Sequence, residues 1–175
     1  SLFSSMLAAG AEIVAVCEKD ERRIEEALKI APEITVYHDF DEFIEHPMDA
    51  VMLCNYFNEH TEYAVRCLER NIHVLSETMS NTTMADGVKL VRAAEKSNAF
   101  YMLAENYIYM PKIQAVKAMV NAGLFGECYY AEGMYLHNID QLMKYKNGQT
   151  SWRSYWQCGV RGSFYPTHSL GPVMQ

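Results

Sequence analysis

Short apolar runs alternate with helix-like segments over the first hundred residues of the chain. The runs are rich in β-branched residues and predict buried parallel strands over residues 11–17, 34–37, 49–54, 72–75 and 99–103. The segments between them carry apolar residues at helical spacing and predict helices over residues 20–30, 39–46, 59–70 and 84–96. Asp20 is placed to cap the first of these helices and Pro32 to stop it. Strands that alternate with helices in this way predict βαβ units and a doubly wound, parallel α/β sheet.

The pattern changes near residue 105. A helix is predicted over residues 111–122, and the aromatic-rich run 127–136 then predicts a long strand of a mostly antiparallel sheet. Residues 141–175 have the character of loops. We therefore predict two domains, a parallel-sheet domain over residues 1–106 and the start of an α+β domain over residues 107–175.

Composition narrows the class of protein. Half of the 175 residues are hydrophobic, which excludes a disordered chain. The formal net charge of −7 argues against nucleic acid as a partner, because binding phosphates requires clustered Lys and Arg. No window approaches the roughly 18 uninterrupted apolar residues of a membrane span, so we predict no membrane association.

The five cysteines are far apart and never form a C-x-x-C pair. The sequence therefore predicts neither a metal site nor a disulfide framework. Cys17 and Cys54 lie inside apolar runs, where a thiol acts as a small apolar side chain. Reduced thiols fit a cytoplasmic protein.

An acidic residue, Glu18, directly follows the first predicted strand. In dinucleotide-binding sheets of the Rossmann type, a carboxylate at this place accepts hydrogen bonds from the adenosine ribose and repels a 2′-phosphate. Glu18 therefore favours NAD over NADP. The alternative is a solvated acid at a strand end, and the nearby Arg22 and Arg23 could serve a phosphate.

The G-x-G-x-x-G turn that precedes such a strand is not in the sequence. Residues 1–9 have the composition of the helix that follows this turn. We therefore expect the dinucleotide-binding domain, residues 1–106, to lack its first strand. We expect the substrate and oligomerisation domain, residues 107–175, to be incomplete at its C-terminus.

Residues 49–80 carry a recognisable pattern of a buried strand, a loop, a His-x-x-x-Ala helix and a His-Val strand that ends in Glu. The matching positions are His60, Ala64, Leu68, His73, Val74 and Glu77. This pattern resembles the Gfo/Idh/MocA oxidoreductases. The resemblance implies that NAD is bound by Asn55, His60, Glu77 and Asn106, together with Glu18.

The chain departs from this pattern where the family has Lys and Pro after the Glu. Thr78 and Met79 occupy these positions. Dehydrogenases of the family use the lysine beside the nicotinamide to assist proton transfer, and Thr78 cannot act as a cationic acid. This departure weakens the interpretation as a simple sugar dehydrogenase.

Two further motifs lie near the end of the sequence, Trp-Arg and Tyr-Pro-Thr-His-x-Leu-Gly-Pro. Together they resemble the branch of the family that includes glycoside hydrolase family 109, which also lacks the lysine. The resemblance implies that Tyr165 and His168 are catalytic, and that Trp152, Arg153 and His137 bind the substrate. Tyr165 and His168 are three residues apart with a proline between them, so both groups are expected near one face.

Each of these residues also has a plainer interpretation. An arbitrary Tyr-His pair is more often a packing feature of a polar loop than a catalytic pair. A lone Trp such as Trp152 is more often part of a core, and His137 is as readily a surface histidine of an edge strand. The motif match favours the catalytic interpretation for Tyr165 and His168.

The resemblance implies a small-molecule carbohydrate substrate and a homo-oligomer. The implied reaction oxidises C3 of the sugar, eliminates the group at C1, adds water and reduces the ketone again. The alternatives are a plain NAD(P)-dependent sugar or polyol dehydrogenase and a non-catalytic sugar or dinucleotide sensor. A two-carboxylate glycosidase lacks a convincing pair of acids, although Glu127, Glu132 and Asp140 are present.

Overall fold

The computed structural model describes residues 2–145, 147–158 and 164–175. These residues form two compact units, Ser1–Ala50 and Val51–Gln175. The second unit contains parts of both domains predicted from the sequence, and the predicted boundary between residues 106 and 107 stays a prediction.

The first unit is built around two parallel strands. In chain order it contains α1 (Leu2–Ala8), β1 (Ala15–Cys17), α2 (Glu21–Ile30), β2 (Thr35–Tyr37) and α3 (Phe40–Phe43). Ala15 pairs with Thr35, and Cys17 with Tyr37. The predicted cap of α2 is confirmed, because the Asp20 side chain accepts a hydrogen bond from the Arg22 N–H.

The second unit begins with a three-stranded sheet. Its strands are β3 (Ala50–Leu53), β4 (His73–Ser76) and β5 (Tyr101–Leu103), in the order β3-β4-β5. β4 and β5 are parallel, with Val74 opposite Tyr101 and Ser76 opposite Leu103.

Helices α4 (His60–Glu69) and α5 (Met84–Lys96) connect these strands. α4 contacts both β4 and α5, and its residues Ala64, Cys67 and Leu68 are buried. Burial of this apolar stripe explains why the helical spacing of the sequence located α4 and α5 correctly. Strand–helix–strand units with parallel pairing confirm the predicted α/β fold.

The remainder of the second unit is mostly helix and loop. It contains α6 (Pro111–Asn121), α7 (Arg153–Trp156), α8 (Thr167–Val173) and short 3-10 turns at Tyr107–Tyr109 and Asp140–Leu142. The predicted helix over residues 111–122 is therefore confirmed.

The strand predicted over residues 127–136 is corrected by the structure, which has no strand there. A strand needs a hydrogen-bonded neighbour, and among the described residues no backbone–backbone hydrogen bond holds this segment. Aromatic β-propensity alone therefore did not create a ladder. In the described ranges, antiparallel pairing outside named strands is an isolated bridge between Lys144 and Thr150.

No helix in the described part of the chain is long and apolar enough to cross a membrane. Within the same ranges, no group of three or more His, Cys, Asp or Glu side chains is arranged to hold a metal ion.

Candidate active site

The two residues predicted to be catalytic lie together at the start of α8. The Tyr165 hydroxyl is 3.3 Å from His168 Nε2, and the two rings meet edge to face with their centroids 5.1 Å apart. Pro166 separates Tyr165 from the first residue of the helix, Thr167. The short spacing therefore places both groups on one side of the helix start, as the sequence predicted.

Glu105 binds the other nitrogen of the histidine. It follows β5 by two residues, is 7% exposed, and places its two carboxylate oxygens 2.8 and 2.9 Å from His168 Nδ1. An ionised carboxylate only accepts hydrogen bonds, so the proton of a neutral imidazole resides on Nδ1. His168 Nε2 is then the basic nitrogen, directed at the Tyr165 hydroxyl.

A glycine of the C-terminal motif lies close to Glu105. A Cβ added to Gly171 would lie 3.1 Å from Glu105 Cγ and 3.4 Å from Ile108 Cγ2. A side chain at residue 171 would therefore require these two neighbours to shift by a few tenths of an ångström. This close approach brings His168, one turn earlier in the helix, to the carboxylate.

Thr78, two residues after β4, contacts Tyr165. Its hydroxyl oxygen forms a hydrogen bond with the Tyr165 hydroxyl, and the Thr78–Met79 peptide bond is cis. Burial raises the pKa of Tyr165 above its ordinary value, and the charges of Glu105 and Glu77 act in the same direction while the Thr78 hydrogen bond opposes them. Tyr165 is therefore a protonated phenol at neutral pH and a hydrogen-bond donor.

Two further tyrosines enclose the histidine. The Tyr107 ring is stacked on the His168 ring at 4.1 Å between centroids, and the Tyr135 ring meets it edge-on at 4.9 Å. Sequence reasoning missed both tyrosines, and it gave no role to Glu105. Their position in the sequence could have indicated a role. Glu105 and Tyr107 lie in the segment that follows the parallel strand β5, and ligand sites of such sheets lie at the carboxyl ends of the strands.

Of the predicted substrate residues, His137 contacts this cluster through Tyr135, while Trp152 and Arg153 pack on each other and on other aromatic residues. His137 is exposed, and its Nδ1 is 2.7 Å from the Tyr135 hydroxyl. Trp152 packs against Tyr56 and Phe57, with ring centroids 5.1 and 4.9 Å away. The Arg153 guanidinium lies 4.6 Å from the centre of the Trp152 ring. Trp152 is therefore already held by protein groups, and its predicted contact with a sugar stays a prediction.

The predicted cofactor residues of the second unit lie where the three strands end. Asn55 follows β3, Glu77 follows β4 and Asn106 follows Glu105 after β5. Carboxyl ends of neighbouring parallel strands form the ligand-binding edge of doubly wound sheets. The structure thus brings these residues to one edge, while their contact with NAD stays a prediction.

His60 lies beneath this edge. It is 1% exposed, its Nδ1 is 2.7 Å from the Met79 carbonyl oxygen, and its Nε2 is 3.2 Å from the Asn55 carbonyl oxygen. The ring therefore connects the loop after β3 with the loop after β4. This placement gives His60 a supporting role in the loops and not an exposed position on their surface.

In the first unit, Glu18 directly follows β1, as predicted. One of its oxygens accepts hydrogen bonds from the Lys19 and Asp20 N–H groups, and the other lies 3.3 Å from Arg23 Nη1. Arg22 is paired with Asp20 at 2.8 Å. An oriented carboxylate at this strand end suits the hydroxyl donors of a ribose.

The loop after β3 also offers an unsatisfied acceptor. Asn58 Oδ1 is buried and has no hydrogen-bond partner among the described residues. Buried polar atoms are normally paired, so this oxygen is suited to a donor on a bound group. The polar residues at the strand ends of the second unit therefore fit part of a dinucleotide.

Parallel strands, connecting helices and polar loops at the strand ends define a doubly wound α/β protein of the Rossmann type. The chain belongs to the Gfo/Idh/MocA family, because residues 4–105 match its model, described as an oxidoreductase family with an NAD-binding Rossmann fold. Residues 109–175 match the model of the glycosyl hydrolase 109 C-terminal domain. These matches confirm the predicted family, its Rossmann-type parallel fold and NAD as the cofactor of that fold.

Similar proteins agree with this assignment. The chain is 30% identical over 177 aligned residues to a glycosyl hydrolase family 109 protein of Shewanella pealeana and to an alpha-N-acetylgalactosaminidase of Shewanella oneidensis. Each alignment covers 95% of this chain and 39% of the relative, so the chain spans about two fifths of their length. Among solved structures, the WlbA dehydrogenase of Chromobacterium violaceum, in complex with NADH and UDP-GlcNAcA, superposes with a TM-score of 0.66 at 21% identity. That superposition covers 71% of this chain and 37% of the dehydrogenase.

Proposed function

We propose that this chain provides the catalytic centre of an NAD-requiring glycosidase that acts on a small carbohydrate by temporary oxidation of the sugar. The observation that carries the proposal is the hydrogen-bonded series Thr78–Tyr165–His168–Glu105. In this series His168 is the proposed base and Tyr165 the proposed proton donor. Glu105 and Thr78 are their respective hydrogen-bond partners. The match to a glycosyl hydrolase C-terminal domain supports this choice.

NAD, when bound, supplies a reversible hydride acceptor for C3 of the sugar. The protein groups handle the protons. His168 Nε2, with Glu105 fixed on Nδ1, is the base that removes a proton from the C3 hydroxyl or from C2 once C3 is a ketone. Glu105 stabilises the positive charge that the imidazole then carries.

Tyr165 acts on the oxygen at C3. As a protonated phenol it donates a hydrogen bond to the ketone and so stabilises the negative charge that develops there when the C2 proton leaves. The electron pair of the C2–H bond then forms the C1–C2 double bond, and the C1–oxygen bond breaks to release the aglycone. Water would then add with its hydroxyl on C1 and a proton on C2, and bound cofactor would supply the hydride that restores the C3 hydroxyl, with no net oxidation.

The proposal is tested with the full-length protein, NAD and an aryl α-N-acetylgalactosaminide in deuterated water. The substrate is chosen because one relative is named an alpha-N-acetylgalactosaminidase. Aglycone release with deuterium at C2 and no net NADH supports the glycosidase. Stoichiometric NADH without aglycone contradicts it and supports a plain dehydrogenase.

A second candidate function is a non-catalytic sugar or dinucleotide sensor. It is favoured by Thr78, which places an uncharged hydroxyl where the family carries a lysine. Unchanged NAD binding without turnover over a broad panel of glycosides and free sugars supports the sensor. If Tyr165→Phe and His168→Ala lose rate while NAD affinity is kept, the enzyme is supported.

The assembly and location of the protein remain proposals as well. We propose a homo-oligomer in the cytoplasm with a small carbohydrate as its substrate. Light scattering of the full-length protein measures its mass in solution. A mass equal to one chain contradicts the proposed homo-oligomer.

A further inference from the structure

The strongest unassigned feature of the site is the face of His168. The Tyr107 ring lies almost parallel to the imidazole, at 14° and 4.1 Å between centroids. The same residue donates its backbone N–H to Glu105 Oε1 at 2.9 Å. Tyr107 thus contacts both members of the His168–Glu105 pair, through its ring and through its backbone.

The other aromatic neighbours of the histidine make a different kind of contact. Tyr135 and Tyr165 meet the imidazole edge to face, at interplanar angles of 90° and 89°. Among the described aromatic contacts of His168, Tyr107 is the one whose ring lies parallel to the imidazole. A parallel stack opposes rotation of the imidazole plane.

Orientation of this plane matters because the two ring nitrogens have different partners. With Glu105 on Nδ1, a small rotation moves Nε2 away from the Tyr165 hydroxyl, now at 3.3 Å. The electron-rich face of a phenol also favours the cationic imidazolium that forms when the base takes a proton.

We propose that Tyr107 is a positioning residue for His168. Its ring holds the imidazole plane so that Nε2 faces the substrate and Tyr165, and its backbone N–H fixes the carboxylate that orients Nδ1. The role rests on the proposed function, in which His168 is the base.

The test compares two substitutions in the full-length protein. Tyr107→Leu removes the aromatic face and keeps the backbone N–H, while Tyr107→Phe keeps both. We expect kcat to fall about 10- to 100-fold in Tyr107→Leu, the loss expected from a misaligned catalytic group. KM and NAD affinity stay unchanged, and Tyr107→Phe retains most of the kcat. Tyr109→Leu, in the same 3-10 turn but 65% exposed, is the matched control with unchanged kcat.

A spectroscopic measurement tests the stack without turnover. The His168 Cε1–H resonance, assigned by its absence in His168→Ala, is shifted upfield by a stacked phenol ring. The shift is lost in Tyr107→Leu and retained in Tyr107→Phe. If Tyr107→Leu is poorly folded, Tyr107→Met replaces it as a second non-aromatic variant.

The outcomes separate the two proposals. An active parent protein whose folded Tyr107→Leu variant keeps its kcat overturns the positioning role alone, as does an equal loss in Tyr107→Phe. A parent protein that binds NAD but releases no aglycone overturns the proposed function and, with it, the role of Tyr107.

Discussion

The sheet segment, residues 51–103, and the aromatic segment, residues 127–136, lie in the same compact unit but are held in different ways. In the sheet segment the strands are paired and Leu68 is 1% exposed. In the aromatic segment Tyr129 is 96% exposed and Leu136 is 91% exposed. Regular pairing and burial fix the first, while a few side-chain contacts near Tyr135 fix the second.

The site takes residues from both segments, so part of it is held by strand pairing and part by a few side-chain contacts. Thr78 follows β4 and Glu105 follows β5 by two residues each, and β4 is buried at Val74 and Ser76. Tyr135 of the aromatic segment reaches His168 through a ring contact. Gly133 permits that approach, because a Cβ there would overlap the Ser169 carbonyl group.

The largest expected effect lies in the chemistry. His168→Ala removes the base, and we expect kcat to fall about 10²- to 10⁴-fold, the usual contribution of a general base. NAD affinity, measured by calorimetry, stays unchanged because the sheet segment is intact. His38→Ala, at an exposed position of the first unit, is the control. A full retention of kcat in His168→Ala contradicts the assigned role.

The difference in packing predicts a difference in stability. Leu68→Ala leaves a cavity in the sheet segment and is expected to lower the free energy of unfolding by about 2–5 kcal/mol. Leu136→Ala in the aromatic segment, where the side chain is exposed, is expected to change it by less than about 0.5 kcal/mol. Urea unfolding followed by circular dichroism measures both. Equal losses would show that the aromatic segment is as well packed as the sheet.

The contact between Thr78 and Tyr165 predicts a smaller effect. Thr78→Val keeps the shape and removes the hydroxyl, so a net hydrogen bond of about 0.5–1.5 kcal/mol is lost. We expect kcat to fall about 2- to 10-fold, while Thr78→Ser, which keeps the hydroxyl, remains close to the parent. If Thr78→Val and Thr78→Ser are equally active, the hydroxyl does not orient Tyr165.

The sequence located the sheet segment well and the site only partly. The helical stripe around Ala64 and Leu68 is a local pattern, so periodicity predicted it, while the polar residues at the ends of β3–β5 were assigned from the family resemblance. The contact between Glu105 and His168 joins residues 63 positions apart, and no local pattern encodes it. The same holds for the stack of Tyr107 on His168. The strand predicted over residues 127–136 failed for a related reason, because propensity does not specify a pairing partner.

Chemical modification of the cysteines has the smallest expected effect on the protein, and it compares the accessibility of the two segments directly. Burial raises the pKa of Cys67, in the sheet segment, to about 11, so little reactive thiolate is present at neutral pH. Cys128, in the aromatic segment, is exposed. We expect iodoacetamide to modify Cys128 in the folded protein and Cys67 only after unfolding, as measured by mass spectrometry of the peptides. Rapid modification of folded Cys67 would show that the sheet segment opens.

The buried histidine His60 connects the loops that follow β3 and β4. His60 contacts the Asn55 carbonyl on one side and the Met79 carbonyl on the other, and Met79 is bonded to Thr78, the partner of Tyr165. The loop after β3 and the loop after β4 are therefore held by the same ring. We therefore expect a ligand that fixes the loop after β3 also to restrict Thr78, the hydrogen-bond partner of Tyr165.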